Sequence, residues 1–195
     1  MHAVRWTMLG IAAVALAGCG SKTETHTSDT VIATGNADAG TEAAANSSVS
    51  APAPAGKAFA NAAAASDAFE IASSRLAQKQ ASSPAVKKFA DGMIKAHTES
   101  TAKLKSAAAA ASPAITPDPA LTAAQQQKLD ELKAADGTAF DKAYAAAQVE
   151  AHQQTLDALK ANASNQEVPQ PLRNFATQLI PTVTAHLNMA NSLAK

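Results

Sequence analysis

The sequence has a single cysteine, few aromatic residues and no surplus of either charge sign. One cysteine cannot form a disulfide within the chain. The 16 basic and 16 acidic side chains balance to a formal net charge of zero, so no basic surface is expected to neutralise phosphates, and nucleic acid is excluded as a partner. The chain also lacks a Gly-x-Ser-x-Gly turn and a glycine-rich phosphate loop, which excludes two common enzyme classes.

Large aliphatic residues are scarce, and alanine takes their place. Leu, Ile, Val and Phe total 32 of the 195 residues, whereas alanine alone accounts for 52. Alanine is the best helix former, while β-sheets need runs of β-branched and aromatic residues. The composition therefore predicts an all-α protein whose helices pack closely.

The first apolar run, from Met8 to Ala17, follows the positive charge of Arg5. It is too short to span a bilayer as a helix and is typical of a signal peptide. The run ends in Leu16-Ala17-Gly18-Cys19, which resembles the signal of bacterial lipoproteins. That resemblance implies cleavage before Cys19, acylation of this residue, and anchoring in the cell envelope, since two or three acyl chains hold a protein stably on a membrane. An ordinary secretory signal with an incidental Cys19 is the alternative.

Three segments follow from the composition: a signal peptide at 1–18, a lipidated tether at 19–56 and a helical domain at 57–195. The tether is rich in Ser, Thr, Ala, Gly, Asn and Pro and has no sustained period, so we expect it to be disordered. By the same resemblance, the absence of aspartate directly after Cys19 favours the outer membrane, which would place the domain in the periplasm.

Four long helical patterns and a short one fill the domain, over about 57–80, 84–111, 122–135, 138–163 and 172–193. Ser83 before Pro84 is typical of a helix start, and Thr122 with Gln125 predicts a capping box. The short joints within the first and last pairs predict antiparallel hairpins, and the long connection between the pairs can return along the bundle. We therefore predict a ferritin-like four-helix bundle with a short extra helix in its crossover.

Several strings in the domain resemble one bacterial exported family. They are Ala-Val-Lys-Lys-Phe-Ala-Asp-Gly-Met-Ile at 85–94 with His97, Phe-Asp-Lys-Ala-Tyr at 140–144, Gln148-Val149 with His152, and Leu-Arg-Asn-Phe-Ala at 172–176 followed by Pro181 and His186. Residues 59–193 thereby resemble the domain of unknown function 4142 family. The resemblance implies a ferritin-like helical bundle, and it carries no assigned activity. The family usually has aspartate where this chain has Ala96 and Ala151.

Each histidine of the domain lies on the apolar stripe of a different long helix. His97, His152 and His186 each fall near the middle of their helices, and Glu70 falls near the middle of the first. If the second and third long helices run parallel, all four side chains share one level of the bundle. A carboxylate and three imidazoles are ligands that Zn, Fe or Cu can use. A network of buried hydrogen bonds that fixes the helix register is the competing interpretation.

A di-iron centre of the ferritin type needs glutamate three residues before histidine on two helices. Those positions hold Ile94, Val149 and Val183 in this chain. The sequence therefore excludes a ferroxidase-type centre.

The leading hypothesis is an envelope-anchored, non-enzymatic interaction or scaffolding module without a cofactor. The alternative is a metal-binding bundle that holds one Zn, Cu or Fe ion with Glu70, His97, His152 and His186. A third hypothesis is a small apolar ligand bound between the helices. The membrane, reached through acylated Cys19, is the one partner that the sequence indicates; no signal identifies a protein partner or an oligomeric state.

Overall fold

The computed structural model describes residues 54–195. The predicted signal peptide, the acylation site at Cys19 and nearly all of the tether lie outside the described residues. Five helices and no strand are found in this part of the chain: α1 (Ala55–Gln80), α2 (Pro84–Ala109), α3 (Ala123–Lys133), α4 (Gly137–Ser164) and α5 (Gln170–Leu193). The prediction of an all-α protein is confirmed.

The two helix starts that the sequence predicts are formed as expected. The hydroxyl of Ser83 accepts a hydrogen bond from the backbone N–H of Val86, directly before α2. Thr122 and Gln125 make both bonds of a capping box at the start of α3. None of the five helices is both long enough and apolar enough to cross a bilayer.

The four long helices pack side by side as a bundle, in which α1 and α5 each contact both α2 and α4. Ser66 bonds Thr155, and Ser74 bonds Tyr144. Because the residue numbers rise along α1 as they fall along α4, these two helices are antiparallel. The three-residue turn between α1 and α2 makes that pair antiparallel as well. Helices α2 and α4 consequently run parallel, which is the condition for their histidines to share a level.

The interior of the bundle consists of two apolar clusters with a polar layer between them. One cluster is built around Phe59, Leu104, Leu159, Leu172 and Phe175. The other is built around Phe89, Met93, Leu132, Phe140 and Tyr144. On every long helix the buried polar residues fall between the positions that supply these clusters; they are Asp67, Glu70, Ser73, Ser74, His97, Ser100, Gln148, His152 and His186.

One end of the bundle is tied together by polar contacts. The carboxylate of Asp141 on α4 accepts hydrogen bonds from the backbone N–H groups of Ser82 and Ser83, at 3.1 and 3.0 Å, and from the Ser82 hydroxyl. The side-chain amide of Gln80 donates to the carbonyl of Ala135 at 2.7 Å, just after α3. Gly137 begins α4 with a φ of 56°, in the left-handed region that favours glycine.

Candidate metal centre

Three buried histidines meet at the middle of the bundle, one each from α2, α4 and α5. The ring centroids of His97 and His152 are 5.7 Å apart, those of His97 and His186 are 6.0 Å apart, and those of His152 and His186 are 5.5 Å apart. One nitrogen from each ring can be chosen so that all three lie within 4.8 Å of one another. The antiparallel packing brings these three predicted site residues together.

His97 is held by a carboxylate that the sequence analysis did not single out. Its Nδ1 lies 2.8 Å from Oδ1 of Asp67 on α1, and the other oxygen of Asp67 accepts a hydrogen bond from Thr101 at 3.1 Å. Burial lowers the pKa of His97, but the hydrogen bond to Asp67 and the charge of Glu70 outweigh it, so the pKa lies above its ordinary value. Since Nδ1–H donates a hydrogen bond to the carboxylate, a neutral His97 has its free lone pair on Nε2.

His152 is oriented by the backbone of its own helix. Its Nδ1 lies 2.8 Å from the carbonyl oxygen of Gln148, which can only accept, so Nδ1 donates and the lone pair of the neutral ring lies on Nε2. Burial lowers the pKa of His152 to about 4, against the opposing effect of that hydrogen bond. The ring is therefore neutral at pH 7.

His186 on α5 lies closest to the surface of the three, with 9% of its area exposed. Burial, reinforced by the charge of His97, lowers its pKa to about 4. This ring is also neutral at pH 7, so both His152 and His186 have a lone pair available for a metal ion.

Several polar atoms in this layer have no hydrogen-bond partner. Nε2 of His97, Nε2 of His152 and Nδ1 of His186 are all fully buried and unpaired. A buried polar atom without a partner costs roughly 1–3 kcal/mol, and such atoms are rare in folded proteins. Three of them at one point in the bundle require an explanation that packing alone does not provide.

Glu70 lies beside the histidines but not among them. Its Oε1 is 3.8 Å from Nδ1 of His152, the nitrogen that already donates to Gln148. The group of ligand atoms within 4.8 Å consists of the three histidines without Glu70. Burial raises the pKa of Glu70 to about 7, against the opposing charge of His97. The structure thus brings together three of the four predicted residues and leaves the fourth behind His152.

The sequence did not identify Asp67 and Gln148 as partners of the histidines, although their helical spacing indicates that they face inward. Asp67 precedes Glu70 by three positions on α1, and Gln148 precedes His152 by four positions on α4. Residues three or four apart share a helix face, so each lies on the inward face that the predicted residue occupies. Both are buried.

Fold and site together define an all-α bundle protein with a cluster of three histidines buried at its centre. The chain belongs to the family described as Domain of unknown function (DUF4142), which matches residues 40–193. The family resemblance seen in the sequence is confirmed. No curated protein matches the chain, and no solved structure matches it.

Proposed function

We propose that this domain binds one transition metal ion through His97, His152 and His186. The observation that carries the proposal is the close approach of three buried imidazoles from three helices, with their ligand nitrogens within 4.8 Å of one another. A network of structural hydrogen bonds would pair these nitrogens with polar neighbours. Each of the three rings instead has one buried nitrogen without a hydrogen-bond partner, which favours a bound ion over such a network.

The hydrogen-bond partners of two of the histidines support the same function. Histidines that bind metals usually donate their other ring N–H to a carboxylate or to a backbone carbonyl, which fixes the tautomer. His97 has a carboxylate in this position, Asp67, and His152 has a carbonyl, that of Gln148. Both arrangements direct the lone pair of Nε2 away from the partner and toward an ion.

The spacing of the rings is suited to a small ion. Zn–N bonds of about 2 Å in a tetrahedral site hold the bound nitrogens about 3.3 Å apart. Nitrogens separated by at most 4.8 Å reach that spacing when each moves inward by about 1 Å or less.

The charge of the interior also suits a cation. Asp67 and Glu70 are both buried in this layer, and no lysine or arginine is buried anywhere in residues 54–195. The carboxylates therefore offset the charge of a divalent ion without direct coordination.

The donor set favours zinc among the metals considered. Three neutral imidazoles suit Zn, Cu, Fe and Ni, and three histidines with one further position are a recurring Zn²⁺ arrangement. Cu²⁺ binds most nitrogen sites more tightly than Zn²⁺, so both ions belong in the experiment.

The wider proposal concerns where and how the domain works. We propose that acylated Cys19 anchors the protein in the outer membrane, that the domain lies in the periplasm, and that its role is non-enzymatic, as a metal-holding module on a tether. The Leu16-to-Cys19 motif supports the anchor. Mass spectrometry of the mature N-terminus is expected to find acyl chains on Cys19, and an unmodified thiol there would contradict the anchor. The order of the helices and the long connection after α2 support a ferritin-like topology.

Elemental analysis and metal titration of the full chain, purified without an affinity tag, test the metal site. We expect one Zn²⁺ per chain, and at least hundredfold weaker binding when His97 or His152 is replaced by alanine. His26→Ala is the matched control, because the sequence places this histidine in the predicted tether and not in the helical domain, and the variant is expected to bind Zn²⁺ like the wild type. Equal affinity in the His97, His152 and control variants, or no stoichiometric binding of Zn²⁺ or Cu²⁺, would overturn the proposal.

A further inference from the structure

A cavity of about 40 Å³ adjoins the histidine cluster, one helical turn along the bundle. His97 and His186 form part of its wall, and the hydroxyl-bearing residues Ser66, Ser100 and Thr155 line it from three helices. Leu159, Phe175 and Leu179 also line it, on the side of the first apolar cluster. The cavity therefore joins two of the three candidate ligands to a space with both polar and apolar walls.

The cavity reaches the surface between α2 and α5. Half-buried Ala96 and exposed Thr182 both belong to its lining, so a small molecule can enter at this seam. A single water molecule needs roughly 10–15 Å³ of cavity volume. The volume of about 40 Å³ is thus enough for two or three water molecules or for one anion of three heavy atoms.

Three protein ligands leave one position of a tetrahedral zinc site for an outside ligand. We propose that this cavity holds an exchangeable fourth ligand of the metal ion, a water molecule that a small anion of two or three heavy atoms displaces. The inference rests on the proposed metal site. In the exchange the metal–oxygen bond to water breaks, a metal–anion bond forms, and water leaves with its protons and both electrons of the bond.

The charges around the cavity are compatible with an anion. Three neutral imidazoles take no charge from a divalent ion, and the buried carboxylates of Asp67 and Glu70 offset its charge only from outside its coordination shell, so the ion can still bind an anion directly. Asp67 is the one carboxylate in the wall, and both of its oxygens are already engaged, one by His97 and the other by Thr101. The hydroxyl groups of the wall can donate hydrogen bonds to the anion.

Two alanines of this chain allow a matched experiment. Ala96 and Ala151 each directly precede one of the clustered histidines, and both are half-buried. Ala96 lines the cavity beside the histidines, whereas Ala151 lines a separate groove of about 300 Å³ between α1, α3 and α4. Leucine at either position adds the same volume, but only Ala96→Leu narrows the cavity. Ser100→Val is a second variant that fills it from inside.

The test is a titration of the full chain, loaded with Co²⁺ in place of Zn²⁺, with azide as the probe. The visible absorption of Co²⁺ is expected to change saturably with azide in the wild type and equally in Ala151→Leu. In Ala96→Leu and Ser100→Val, Co²⁺ binding is expected to persist while azide binds at least tenfold more weakly. If Ala96→Leu does not fold, the azide affinity of Ser100→Val alone tests whether the anion binds in the cavity.

The outcomes separate this inference from the metal site on which it rests. Co²⁺ bound by the wild type with no response to azide would overturn the exchangeable ligand and leave the metal site standing. Azide affinity unchanged in both cavity variants would also overturn it, because the anion would then bind elsewhere. No binding of Co²⁺, Zn²⁺ or Cu²⁺ would overturn the proposed function itself.

Discussion

At the scale of single residues, the partner of each histidine decides what that ring can do. Asp67 raises the basicity of His97, while the carbonyl of Gln148 orients His152 without adding charge. His186 has no partner on its buried Nδ1. We infer that the three rings differ in strength as ligands, with His97 the strongest donor because a charged hydrogen-bond acceptor polarises it.

Replacing Asp67 with asparagine tests this ranking, because the variant keeps the size of the side chain and removes its charge. Zn²⁺ affinity is expected to fall roughly ten- to hundredfold, the usual effect of losing a carboxylate that hydrogen-bonds a metal-binding histidine. Competition with a chelator of known affinity measures this loss. Thr101→Val removes only the hydrogen bond to the far oxygen of Asp67, and its effect should be smaller. An Asp67→Asn variant with wild-type affinity would show that the carboxylate does not tune the site.

Glu70 makes the stability of the metal-free protein depend on pH. Its pKa rises from 4.5 to about 7 on folding because of burial, so between these values the folded state binds more protons than the unfolded state. Stability contributed by this group is therefore present below pH 4.5 and is lost as the pH rises toward 7 and beyond.

Glu70→Gln removes this dependence. At pH 8 the metal-free variant is expected to melt several degrees above the metal-free wild type, and at pH 4.5 the two are expected to melt together, because glutamine resembles the protonated acid. Calorimetry at the two pH values measures the difference. The same melting difference at both pH values would refute the assignment of the raised pKa to Glu70.

At the scale of the helices, short-range signals were sufficient to predict where α2 and α3 begin. Ser83 and the Thr122–Gln125 pair act through bonds to residues within one turn, so the local sequence determines them. The contact of Asp141 with the turn before α2 spans 58 positions. Helical period does not distinguish Asp141 from the exposed charges of α4, and its role is visible only once the helices are packed.

Asp141→Ala is expected to destabilise the domain by about 1–2 kcal/mol, because two backbone N–H groups before α2 lose their acceptor. Urea unfolding followed by circular dichroism measures this loss. Asp157→Ala on the same helix is the matched control: its exposed carboxylate bonds only Gln153, and little change is expected. Equal effects of the two substitutions would contradict a special role for Asp141.

The position of the candidate site along the bundle was predictable from the sequence, whereas the contacts of its side chains were only partly predictable. Apolar periodicity and loop lengths were enough to predict that His97, His152 and His186 lie close together. They do not determine rotamers or the few degrees of helix rotation that decide which ring nitrogen faces inward. For this reason the position of Glu70 behind His152, and the choice of Asp67 as the partner of His97, became clear only from the packed structure.

At the scale of the whole molecule, the polar layer interrupts the apolar core at its centre. The two apolar clusters lie on either side of it, so the unpaired nitrogens and the buried carboxylates weaken the metal-free bundle at the middle. A metal ion that binds only the folded state stabilises the whole domain through this layer.

Metal addition should therefore raise the melting temperature of the full chain. At a free Zn²⁺ concentration about 100 times the dissociation constant, the expected gain is about 2.7 kcal/mol, which corresponds to several degrees. Differential scanning calorimetry with and without Zn²⁺ measures the gain, and His152→Ala should abolish it. A gain of equal size in that variant would place the stabilising ion elsewhere.

The three histidines are divided unequally between the two hairpins: His97 belongs to α1–α2, and both His152 and His186 belong to α4–α5. An ion held by all three would link the two hairpins directly. Its removal would leave them joined by the connection that contains α3, by side-chain packing and by hydrogen bonds. After a chelator has removed the ion, the contact between α2 and α5, where the cavity meets solvent, would become mobile before the other helix contacts. Amide exchange along that contact would then report the occupancy of the ion.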